Sequence, residues 1–154
     1  MKNLIIRFTL PITILSFALI TKWWYGVDLD VKDAFFYGFP MIYKCEGFHI
    51  SMSTQYFVLE LALNFITHFS ICLIISLIFY KIRRFTVPKK ISMVFWIGFV
   101  VVFTATLYLS YEMKDVYLVS RNFQVKIFDS GFSFLEQTPD REVYLEDIQE
   151  WLKK

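Results

Sequence analysis

Three apolar runs, each bounded by charge, constrain this chain more than any other feature. The longest, Tyr56 to Tyr80, holds 25 residues and one carboxylate, Glu60. As an α-helix it measures about 37 Å, more than the roughly 30 Å of a bilayer's hydrocarbon layer. Ile91 to Ser110 adds 20 uncharged residues after Pro88, which punctuates the connection. Phe8 to Thr21 is shorter, 14 uncharged residues between Arg7 and Lys22. That is about 21 Å of helix, extended in reach if Arg7 and Lys22 snorkel and Trp23 and Trp24 sit at the interface. Hydrophobic residues make up 56% of the 154, and their bunching, rather than their number, argues for membrane spans. The expected fold is an α-helical membrane protein with three transmembrane helices, at 1–22, 56–80 and 91–110. A cleaved signal peptide is the alternative for the first run, disfavoured because Ser16 and Ala18 of its only cleavage-like site lie inside the apolar stretch.

Orientation follows from the loop 81–90, "KIRRFTVPKK", with five basic residues and no acidic one, which should stay in the cytoplasm. The segment 23–55 carries Asp28, Asp30, Asp33 and Glu46 against Lys32 and Lys44, and the tail 111–154 has nine acids to six bases. Both suit the outer side, so the N-terminus reads as cytoplasmic and the C-terminus as extracytoplasmic.

The outer segments have patterns of their own. Residues 23–55 are crowded with aromatics, and "FFYGFPMIY" is too short to cross and too apolar for a free loop, with Gly38 and Pro40 making it turn. Phe39 and Pro40 are therefore candidates for an interaction surface. In the tail, "NFQVKIF" alternates, "DSG" reads as a turn and "FSFL" follows, which is the signal of a small β-hairpin. Thr138 then suits an N-cap and Pro139 a first helical position, and Tyr144, Leu145, Ile148, Trp151 and Leu152 fall on one face of a C-terminal amphipathic helix. Hairpin and helix are too small to hold a core unaided, so they must pack on the aromatic segment or on a partner. Trp151 and Leu152 are the tail's interaction candidates.

The second run keeps polar residues at depth. Counted from Tyr56, Glu60 lies about 6 Å below the outer end, Asn64 about 12 Å and His68 about 18 Å, and Thr67 falls on the same face. Intramembrane polar groups point into bundles and hydrogen-bond there, which makes Glu60, Asn64, Thr67 and His68 helix-packing candidates. Thr9, Thr13 and Ser16 form a matching polar face on the first run. A transport pathway is the sharper reading of the same four residues. It would need continuation below His68, where the run offers little beyond Cys72 and Ser76.

Other chemistry is sparse. His49 and His68 are the only histidines and lie at different depths, so neither a metal site nor a haem is expected. Cys45 outside and Cys72 deep inside cannot reach disulfide distance, which leaves Cys45 either inert or open to an intermolecular bridge. No nucleophile–base pair, phosphate loop or nucleic-acid motif is present. The chain resembles small bacterial inner-membrane proteins of unassigned role that carry a "YGFP"-like turn before an Asn-bearing span, the matching residues being Tyr37, Gly38, Phe39, Pro40 and Asn64. That resemblance implies a bacterial cytoplasmic membrane and no activity. The expected function is a non-catalytic accessory or scaffold subunit of an inner-membrane complex, contacting lipid and other integral membrane proteins, with no cofactor. A transport component and a membrane immunity or regulatory protein are the alternatives.

Overall fold

The computed structural model describes residues 4–28, 34–47, 53–83, 88–135, 137, 138 and 144. Among these residues it has three helices joined to a six-stranded mixed sheet, which overturns the expectation of an α-helical membrane protein with a small β-hairpin and a C-terminal helix. A π-helical turn, Ile5–Thr9, leads into α1, Leu10–Leu19. Pro11 has no N–H to give the preceding turn, and the Leu10 N–H reaches back five residues to Ile5 O. The helix stops at Leu19. Thr21, Lys22, Trp23 and Trp24, expected to prolong it, belong instead to β1, Ile20–Asp28. The reason is local: a run rich in Trp, Tyr, Thr and Val favours a pleated surface over a helix.

Strands β1, β2 (Ala34–Tyr37), β3 (Lys44–Glu46) and β4 (Thr54–Phe57) form an antiparallel meander from the segment expected to be an aromatic loop. Helix α2, Val58–Arg83, starts directly from β4. Tyr56 and Phe57 are thus strand rather than helix. Helix α3, Lys89–Met113, coincides with the third run. The chain then returns to the sheet as β5, Val116–Leu118, parallel to β4. Helices α2 and α3 are long and apolar enough to cross a membrane; the first helical stretch, Ile5–Leu19, is shorter.

The expected hairpin in the tail is a single strand, β6, Val125–Phe134, paired along β1. Asp129, Ser130 and Gly131 read as a turn yet lie opposite Tyr25, Trp24 and Trp23. A β-bulge at Tyr25/Gly26 absorbs the irregularity. Gly131 is needed for packing: a Cβ there would come within 2.7 Å of the Trp23 indole.

In the sheet order β5-β4-β3-β2-β1-β6, consecutive strands β5 and β6 occupy opposite edges. A flat sheet would separate them by about 24 Å, near the full stretch of the connection 119–124. The sheet must therefore curl over that connection. Phe123, carried by it, packs on Phe36 and Phe57 at 6.1 and 5.5 Å. This face holds the core of Ala34, Phe36, Ile42, Cys45 and Phe57. The opposite face packs Trp23, Tyr25, Val27 and Phe35 beneath Tyr144. Tyr144, the one described residue of the expected amphipathic helix, is helical and lies 4.4 Å from the Tyr25 ring. Trp151 and Leu152 lie outside the described residues.

Candidate functional site

The polar face of α2 meets the sheet's loops at its sheet-proximal end. Asn64 is fully buried, and its side-chain amide pairs with the backbone of one residue in both directions: Nδ2 donates to Met41 O at 2.6 Å, and the Met41 N–H donates to Oδ1 at 3.1 Å. Glu60, in the first turn of α2 and 8% exposed, accepts the Arg121 N–H at 3.1 Å through Oε1. The Leu59 N–H next to it donates to Val119 O at 3.0 Å. One helical face thus holds two separate loops, the one after β2 and the one crossing the sheet before β6.

His68 lies one turn below. Its Nδ1 is 3.0 Å from Asn64 O, and since a carbonyl only accepts, Nδ1 carries the proton. The ring stands edge-on to Phe17 of α1 at 5.2 Å and to Phe39 at 6.4 Å. Phe17 also packs on Tyr43 and Phe65, so it joins α1, α2 and the sheet. Thr67 does not take part in this seam: its hydroxyl returns to Leu63 O of its own helix at 2.9 Å. Thr9 and Thr13 of the first helical stretch are fully buried, Thr13 Oγ1 donating to Thr9 O, and Ser16 shares a 3.8 Å hydrogen bond with Cys72 Sγ.

The turn 37–40 owes its shape to Gly38, whose φ of 141° lies where side chains are not accommodated. Its N–H donates to Lys22 O at 2.8 Å, and its carbonyl accepts Trp24 Nε1 at 2.7 Å. The Phe39–Pro40 peptide is cis, Pro40 is exposed, and Phe39 packs against Phe132 at 5.6 Å. Tyr37, Gly38, Phe39, Pro40 and Asn64 therefore converge in space, Asn64 holding the residue that follows Pro40. A cavity of about 210 Å³ beside Glu60, lined by Trp24, Pro40, Met41 and Arg121, is below the usual size of a small-molecule site.

A larger cleft opens on another side. Helices α2 and α3 each pack on α1 rather than on one another. Between them is a space of about 770 Å³, within the roughly 300–1,000 Å³ of ligand sites. Sequence reasoning missed its polar end, where Lys44 and Asp115 line it together with Tyr56 and Tyr117. Asp115 Oδ1 accepts the Thr54 N–H at 2.9 Å, and Tyr56 stacks on Tyr117 at 5.3 Å. The only sequence signal was an acid five residues beyond the end of the apolar run 91–110. Cys45, weighed for an intermolecular bridge, is fully buried, and among the described residues no group of His, Cys, Asp or Glu is placed to hold a metal ion.

Comparison with known proteins gives no match: no family model, no curated protein and no solved structure is similar to this chain.

Proposed function

We propose that the protein is a non-catalytic accessory or scaffold component of a bacterial inner-membrane complex. In this reading α2 and α3 cross the bilayer, the sheet rests on the outer surface and the basic stretch 81–90 stays in the cytoplasm. The carrying observation is that the helices are inverted relative to the sheet. Their buried residues include Thr9, Thr13, Asn64, Ser76 and Ser92, while Ile66, Ile74, Ile78, Val94, Val101 and Leu107 stand exposed. Such an exposed apolar surface needs lipid or other membrane helices against it. The Phe8–Phe95 contact and the bond from Trp96 Nε1 to Ile6 O keep the start of the chain beside the start of α3. That favours a cytoplasmic N-terminus and an extracytoplasmic C-terminus. Where β6 and β1 approach the helices, Ile20, Phe132, Phe134 and Leu135 are exposed, and Lys22 lies 3.6 Å over the Trp24 ring, a composition suited to the headgroup layer. Transport draws less support, since both amide groups of Asn64 are engaged by Met41.

Purification in mild detergent, with particle mass and mass spectrometry of co-purifying chains, tests the proposal. A stoichiometric integral-membrane partner is expected. A strictly monomeric particle without partners would sink it.

A further inference from the structure

We infer that the cleft between α2 and α3 is a binding site for one bilayer glycerophospholipid with a zwitterionic headgroup, its acyl chain between the helices and its headgroup beneath the sheet. The inference rests on the membrane reading above and adds a ligand to it.

The polarity of the walls changes along the cleft as that of an amphiphile does. Toward the middle of the helices it is lined by Ile14 of α1, Phe65 of α2, and Phe99, Val102 and Phe103 of α3, with no charged group. At the sheet end Lys44, Asp115, Tyr56 and Tyr117 take over. Tyrosines at this level are the usual companions of headgroups. The position is set by the fold: Lys44 is on β3, Tyr56 on β4 at the entry to α2, and Asp115 between the end of α3 and β5. All three are therefore at the junction of the apolar helices with the sheet.

Size argues against a partner helix as occupant. A helix about 10 Å across would fill 770 Å³ with roughly two turns, and the sheet end blocks its continuation. A flexible chain has no such length requirement. Charge selects the headgroup. Among the described residues the rim carries one cation, Lys44, held over the Tyr37 and Tyr56 rings at 5.4 and 5.8 Å, and one anion, Asp115. A phosphate beside Lys44 and an ammonium beside Asp115 match that pair, whereas a purely anionic headgroup would meet the Asp115 carboxylate.

The full chain in nanodiscs of mixed phosphatidylethanolamine and phosphatidylglycerol provides the test. Either lipid is supplied in trace amount with a photoactivatable group on its acyl chain, and crosslinked residues are mapped by mass spectrometry. The expected result is labelling of Phe65 and Phe99 at least five-fold above the exposed Ile74 and Val101, stronger with the ethanolamine lipid. Val102→Trp, which fills the cleft, should abolish that excess. Lys44→Gln should lower it several-fold, Lys44→Arg should restore it, and Asp115→Asn should remove the preference for ethanolamine. Even labelling of cleft and exposed faces would overturn the site while leaving the membrane reading intact. No labelling anywhere would overturn both. A full excess retained in Val102→Trp and Lys44→Gln protein would also overturn the site, and equal labelling by the two lipids would overturn the headgroup assignment.

Discussion

The sheet and the helical bundle of this protein obey opposite burial rules. In the sheet Tyr25, Phe36, Cys45 and Phe57 are wholly buried. In the bundle the wholly buried side chains include Thr13 and Asn64, both hydrogen-bonded, while Ile74 and Val101 are 58% and 60% exposed. Water drives apolar side chains inward, and hydrocarbon gives no such drive but penalises every unpaired polar group. One chain that follows both rules in two regions is suited to two solvents. The largest expected effect follows directly. Val101, at the midpoint of α3, should not tolerate a charge: Val101→Asp should cost about 3 kcal/mol of membrane insertion, against less than about 0.5 kcal/mol for an exposed site in water. Resistance to alkaline carbonate extraction should fall more than tenfold, and unchanged retention would break the comparison.

The buried side of the comparison is sharpened at Asn64. Asn64→Leu keeps the branched shape of the side chain but leaves the N–H and C=O of Met41 without their partners. The expected loss is about 2 kcal/mol, measured as denaturant unfolding in detergent micelles. Thr67→Val is the control, since that hydroxyl bonds only its own helix; a loss under about 0.5 kcal/mol is expected. Equal losses for the two would mean that the seam has no special role.

Helices α2 and α3 were legible because their signal is long and self-contained: 20 to 25 apolar residues indicate a helix whatever surrounds them, whereas the 14-residue first run did not show where its helix gives way to β1. The sheet was not, for reasons visible at particular residues. Strands β2, β3 and β4 have three or four residues each, too few to establish a period. Trp23 and Trp24 look alike as interface anchors and as strand residues, and only pairing with Phe36 and Tyr37 on one side and with Gly131 and Ser130 on the other decides between them. Asp129-Ser130-Gly131 has turn composition but is overridden by a ten-residue ladder. At the site, Glu60, Asn64 and His68 were identifiable because a polar group at depth needs a reason. Met41 and Arg121 were not, because both contribute backbone atoms and an N–H carries no sequence signature. The cleft's rim combines β3, β4 and the end of α3, a long-range arrangement that no local pattern encodes.

Gly131 tests the sheet's side of the comparison, where close packing of apolar groups should set stability. Gly131→Ala is expected to cost about 1 kcal/mol through overpacking against the indole of Trp23, seen as a lower Tm and an altered tryptophan near-ultraviolet dichroism. In a Trp23→Phe background, which removes the indole atoms in question, the same substitution should cost much less. A penalty that persists there would point to backbone strain, as in a turn, instead of packing.

The smallest effect concerns how Tyr144 packs on the sheet. Burial against the Tyr25, Phe35 and Trp23 rings, then the hydrogen bond to Asp129 and that residue's charge, raise the Tyr144 phenol above its ordinary value of 10.0. All three causes favour the neutral phenol. The contact therefore contributes fully below the unfolded-state value and is lost as pH rises through the raised folded one. An ultraviolet phenolate titration should show one tyrosine ionising later than the exposed ones, accompanied by a change in tryptophan emission, and Tyr144→Phe should remove that step. Because burial is the leading cause, Asp129→Asn should lower the Tyr144 value without returning it to normal. A return to normal in that variant would mean that Asp129 alone, and not the aromatic face of β1 and β2, holds Tyr144.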